Sequence, residues 1–153
     1  MIYVECNPDE VLVKALGIPR REIHHSGNKP EVCKRLKKSE NCTGLVDEDP
    51  SSEKLPYIDK LKLHSNDYNI KLLIDEKGKN YLIVLCPKLE EWILKAAEEA
   101  KIYTPSYGLP DDPDELHKFI NTRLKNFENL IKDIIKQKSR MIKTLEGFLK
   151  KKI

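Results

Sequence analysis

Three short apolar runs without alternation stand out along the chain: Ile2-Tyr3-Val4, Gly44-Leu45-Val46 and Tyr81 to Cys86. A strand covered on both faces needs apolar side chains at nearly every position, so each run predicts a buried strand. Helix signals lie between the first two. Asn7-Pro8-Asp9-Glu10 reads as a cap residue, a proline at the first helical position and an early acid, with Gly17 as the stop. A second helix is predicted from about Pro30 to Lys38, and a short strand fits Glu22-Ile23-His24. Strand and helix in alternation predict a parallel α/β sheet.

From Leu61 the pattern changes. Leu61 and Leu63 alternate with polar residues, and Ile70 to Ile74 forms a further run before Glu76-Lys77-Gly78-Lys79-Asn80. That pattern predicts antiparallel strands joined by turns, leading into Tyr81–Cys86. A helix follows from Pro87 to about Ala100, with Trp92 in its core face. Tyr103 to Asp112, with two prolines and Gly108, predicts a linker. Asp112-Pro113-Asp114-Glu115 repeats the capping arrangement and opens a long amphipathic segment, in which apolar residues from Leu116 to Leu149 recur at threes and fours. One helix from Asp114 to Lys152 would span roughly 58 Å, too long for a domain of this size. It must break, near Ser139, or project onto a partner; the alternative is a helix packed on its own sheet. The expected organisation is an α/β domain over 1–102, a linker over 103–112 and a basic helical extension or hairpin over 113–153.

Composition adds limits. With 153 residues, 39% hydrophobic and 35% charged, the chain has enough length for one core without disulfide or metal staples. A net charge of +3 excludes a wholesale polybasic nucleic-acid binder. The charge is unevenly spread, with +8 from Lys118 to Ile153 and −5 before it. No apolar run approaches a membrane span and no signal-peptide pattern opens the chain, so a cytoplasmic protein without membrane contact is expected. Abundant Lys and Glu with a single glutamine, Gln137, fit a thermophile or an AT-rich genome. Cys6, Cys33, Cys42 and Cys86 form no CxxC pair. Cys33 and Cys42 with His24 and His25 match no zinc spacing, so reduced thiols are the default. There is no GxxxxGK[ST] and no GxGxxG.

The acids carry the chemistry. Glu5 follows the first strand, Asp47, Glu48 and Asp49 follow the second run, and Glu90 and Glu91 follow the third. If these strands are parallel, all three sets meet at the carboxyl edge, where open α/β sheets place their ligands. Carboxylates crowded there repel one another unless a divalent cation intervenes. Asp47 and Asp49, spaced i and i+2, suit one hard metal; the plainer reading is a polar turn before Pro50-Ser51-Ser52. Asp9 reads as a helix N-terminal charge, and Glu48 and Glu91 as solvent-facing.

Glu5-Cys6-Asn7-Pro8-Asp9 and Gly44-Leu45-Val46-Asp47-Glu48-Asp49 resemble the two acidic motifs of Toprim domains, a glutamate after strand one and an Asp-x-Asp at a later strand end. Pro87-Lys88-Leu89-Glu90-Glu91-Trp92 is similar to a segment of small Toprim proteins related to the OLD nucleases. The resemblance covers about residues 1–100; Cys6 stands where the family usually has glycine. It implies a Toprim-like sheet of mostly parallel strands and a metal-dependent nuclease or phosphoryl-transfer activity. By it, Glu5 acts as general acid or base, Asp47 and Asp49 hold Mg²⁺ or Mn²⁺, and Glu90 supplies a further ligand. Arg123, Lys132, Lys136 and Arg140 would then track a DNA or RNA backbone, although such residues are more often a solvated face. The competing function is a non-catalytic interaction protein that forms a homodimer, or docks on a partner such as an ATPase, through the last helix. A receiver-like phospho-acceptor fits less well, because only Glu5 follows the first strand.

Overall fold

The computed structural model describes residues 1–151; Lys152 and Ile153, the end of the expected extension, lie outside the described residues. Among these residues six strands form one mixed, mostly parallel sheet: β1 (Ile2–Val4), β2 (Ile23–His25), β3 (Thr43–Asp47), β4 (Lys62–Asp67), β5 (Ile70–Asp75) and β6 (Asn80–Leu85). Their order is β2-β1-β3-β6-β5-β4. β2, β1, β3 and β6 are mutually parallel, and β5 pairs antiparallel with both β6 and β4. The architecture is the expected α/β class and is compatible with a Toprim-like sheet.

Seven helices among the described residues flank this sheet: α1 (Asn7–Ala15), α2 (Lys29–Lys37), α3 (Pro56–Asp59), α4 (Leu89–Glu99), α5 (Pro113–Phe119), α6 (Leu124–Lys136) and α7 (Arg140–Leu149). None is long and apolar enough to cross a membrane. The pleat divides the apolar residues between two faces. Val4, Leu45, Ile70, Leu72, Ile83 and Leu85 pack with α1, α4 and the C-terminal helices. Val46, Leu73, Leu82 and Val84 pack with Val32 and Leu36 of α2 and, at the margin, with Tyr57 and Ile58 of α3. Every residue of β6 is buried, as its unbroken apolar run requires.

The long C-terminal pattern resolves into three helices. A 3₁₀ turn at Ile120–Thr122 separates α5 from α6. The second break is at Ser139, whose hydroxyl accepts from Ile142 N and donates to Glu99 Oε1 at 2.6 Å, after Lys138 turns through φ +58°. Phe127, Leu130, Ile131, Ile134, Met141, Ile142 and Leu145 join the same core as β1 and α1. The apolar stripe of the extension is therefore spent on the chain's own sheet layer. The segment between α4 and α5 is also fixed: Tyr107 donates to Asp133, Asn126 donates to Tyr107 O, and Arg123 donates to Gly108 O.

Three local details differ from the expected pattern. Helix α1 begins one residue early, with Cys6 rather than Asn7 at the cap position and no side-chain cap. Helix α4 begins at Leu89, leaving Pro87 and Lys88 in the connection. The short helix α3 follows Leu55 with Pro56 at its first position, a start too brief to leave a periodic signature.

Candidate functional site

The chain leaves β1 toward β2 on one side of the sheet, while β3 returns on the other. The carboxyl ends of β1 and β3 therefore flank a topological switch point, where an open α/β sheet leaves a crevice. Glu5 and Asp47 stand on its two sides. Glu5 Oε2 accepts from Asp47 N at 2.8 Å, closing the gap between the strands. Asp47 Oδ1 accepts from Leu89 N at 3.1 Å, in the first turn of α4. Each carboxylate thus has one oxygen tied to a backbone N–H, which leaves its second oxygen for other chemistry.

Asp9 lies beneath them. It is 1% exposed, and its Oδ2 accepts from Cys6 Sγ at 3.2 Å. Its Oδ1 is buried with no hydrogen-bond partner. An orphaned, fully buried carboxylate oxygen is rare because its desolvation is uncompensated. Asp9 sits in the first turn of α1, as the sequence predicts, but the helix directs it into the sheet edge rather than to solvent.

Three acids in so small a space disturb one another. Burial, then the charges of Asp47 and Glu5, hold the Asp9 carboxyl well above its ordinary range. Burial and the Glu5 charge push Asp47 up to about 7. Burial also raises Glu5, although the Asp47 N–H and Lys29 oppose it. Burial and the Asp9 charge raise the Cys6 thiol far out of the thiolate range, so Cys6 acts here as a donor to Asp9 and not as a nucleophile.

Asp49 and Glu48 belong to the opposite side of the edge. β3 ends at Asp47, and Asp49 takes φ +39°, with its N–H donating to Pro87 O at 2.7 Å. Its side chain accepts from Ser51 Oγ and approaches Lys88 Nζ at 3.9 Å; the Ser51 bond and Lys88 lower its carboxyl. Glu48, expected to face solvent, accepts from Lys71 Nζ at 2.7 Å, which lowers its carboxyl as well. Lys29 Nζ donates to Glu48 O at 2.7 Å, beside the acids. Glu90 is buried, and its Oε1 lies 2.8 Å from Nδ1 of His117 on α5.

The structure thus gathers Glu5, Asp47 and Glu90 at one edge with Asp9, and sets Asp49 at its rim. It does not bring the basic residues of the last helices to that edge. The Arg140 N–H donates to Glu99 Oε1 at 2.7 Å, at the far end of α4, about 15 Å of helix from Leu89. Lys132 lies 3.7 Å from Glu128, Lys136 is exposed near the end of α6, and the Arg123 guanidinium stacks 4.8 Å from the Phe119 ring centre. Sequence reasoning missed Lys29, Lys71, Lys88 and His117. None carries a local motif, because each reaches the edge from a different element.

Among the described residues no three His, Cys, Asp or Glu side chains are gathered tightly enough to hold an ion as they stand. The donor set nonetheless suits a hard divalent cation: all-oxygen ligands, one orphaned buried oxygen, and mutual repulsion that a cation would relieve. No protein-family profile, no curated protein and no solved structure matches the chain. Fold and geometry together define an α/β domain with a buried carboxylate cluster at its switch point.

Proposed function

We propose that the protein is a Toprim-type, Mg²⁺- or Mn²⁺-dependent enzyme that cleaves or transfers phosphodiesters of DNA or RNA. The observation that carries this reading is the unpartnered, buried Oδ1 of Asp9, whose carboxyl feels the charges of Asp47 and Glu5 at the switch point. A cluster of repelling carboxylates is costly without a counter-ion, and its retention at a ligand crevice argues for a cation as part of the working protein. Asp9 and Asp47 would hold the cation, with Asp49 and Glu90 as further ligands. The cation supplies charge neutralisation at a phosphoryl group. Glu5, whose carboxyl burial raises above its ordinary range, exchanges a proton with the attacking or leaving oxygen. Lys29 gives the phosphate a cation from the protein itself. Cys6 takes the place of the usual glycine and orients Asp9 through its thiol.

The interaction-protein reading is less well supported, because the stripe it needs is buried in the core. Calorimetric titration of Mn²⁺ and Mg²⁺ into wild type, Asp9→Asn, Asp47→Asn and Asp49→Asn tests the metal site. Binding in the wild type that is lost in the first two variants and only weakened in the third is the expected result. Equal binding in all four proteins would sink the reading. A cleavage assay on single-stranded and duplex DNA and on RNA, with and without EDTA, tests the chemistry.

A further inference from the structure

On the α2 face, α3 and the chain leading into it stand over the sheet's outer strands with a recess between them. Leu63, Leu73 and Val84, on β4, β5 and β6, form an apolar shelf there, with Leu63 opposite Leu73 in register. Leu63 is 54% exposed on this face, where Lys71 stands beside Leu73 and Val84. Leu55 and Ile58 form a facing wall, and the recess between has a volume of about 430 Å³, within the size range of small-ligand pockets. One end opens beside Lys29, Lys71 and Asp49, which borders the acidic edge. Glu53 and Asp59 on the rim add carboxylates without an ion-pair partner among the described residues.

We propose that this recess receives the base of a nucleotide whose phosphate lies at the Lys29–Asp49 mouth. A flat apolar shelf with a facing aliphatic wall matches the two faces of a base. Rim carboxylates match the exocyclic amine of adenine, guanine or cytosine, and Lys29 at the mouth matches the phosphate. The proposal rests on the metal reading, because Asp49 repels a phosphate unless a cation lies between them.

Titration calorimetry of the full chain with AMP, UMP and ribose 5-phosphate, each with Mn²⁺, tests it. AMP is expected to bind at least about tenfold more tightly than ribose 5-phosphate, with UMP weaker than AMP. Leu63→Glu, at an exposed position, is expected to reduce AMP to the level of ribose 5-phosphate while Mn²⁺ affinity stays unchanged. Equal binding of AMP and ribose 5-phosphate, or an unchanged AMP affinity in Leu63→Glu, overturns the proposal. If wild type takes Mn²⁺ without any gain from the base, only the recess proposal falls; if it takes neither, the metal reading falls with it. Competition with AMP by a 5′-phosphorylated single-stranded tetranucleotide assigns the recess to a strand terminus, and no competition assigns it to a free nucleotide.

Discussion

Replacing Asp47 by Asn removes one charge from the buried trio and keeps the oxygen that accepts from Leu89 N. The native Asp47 carboxyl titrates at about 7 against an ordinary value of 3.8. The native state therefore binds this proton more tightly than the unfolded chain does. Between those values the folded protein carries the extra proton, so stability falls as pH rises, and the loss is complete above about 7. The full gap corresponds to about 4 kcal/mol, of which roughly 2–3 kcal/mol accumulates between pH 5 and pH 8. Asp47→Asn has no such proton to lose, and it also relieves Glu5 and Asp9. Urea unfolding in EDTA at the two pH values measures the difference. The advantage of the variant over wild type should grow by roughly 2–3 kcal/mol from pH 5 to pH 8, a relative midpoint shift of about 1–2 M urea. Parallel pH dependences in the two proteins would refute the claim that Asp47 is held in a repulsive, desolvated cluster.

Three further predictions concern the frame around the site, each read by urea unfolding. Asn80, 1% exposed, accepts from Cys42 N and donates to Leu36 O and Ser39 O, so Asn80→Leu should cost at least about 2 kcal/mol by leaving those backbone groups unpaired. Ser139→Ala removes the cap of α7 and the bond to Glu99, for a loss of about 1–2 kcal/mol. A Cβ on Gly44 would stand 2.7 Å from Leu36 Cδ1, 2.9 Å from Val32 Cγ1 and 3.0 Å from Leu82 Cδ1, so Gly44→Ala should destabilise by about 1–3 kcal/mol through overpacking between β3 and α2.

The buried strands were legible because two-sided burial writes itself as an uninterrupted apolar run; β1, β3 and β6 each showed one. The start of α5 was legible because Asp112 does the capping, accepting from Glu115 N beside a proline in the first turn. Asn28 caps α2 by accepting from Glu31 N, but the reading began that helix only at about Pro30. Cys6 caps α1 without any such bond, which is why the start there reads one residue late. The breaks in the C-terminal pattern were harder to read. A helix period survives a 3₁₀ turn such as Ile120–Thr122 because the apolar spacing of threes and fours continues through it. Where the helices go depends on contacts between α1 and α6, far apart in sequence.

The acids show the same division between local signal and tertiary placement. Glu5 and Asp47 were legible because parallel pairing alone brings the ends of β1 and β3 together. Asp47 and Asp49, spaced for one face of a strand, do not form the buried pair, because β3 ends at Asp47 and the left-handed turn at Asp49 points its carboxylate toward Ser51 and Lys88. The place beside Asp47 is taken instead by Asp9, which in sequence is indistinguishable from a helix-dipole acid. Only packing of α1 against the sheet decides that difference, since it buries Asp9 and leaves the neighbouring Asn7 exposed. The same packing brings the C-terminal segment into the site, because α6 lies on α1 and α5 delivers His117 to Glu90. The C-terminal segment thus adds His117 to the acidic edge that the strand ends of residues 1–102 form.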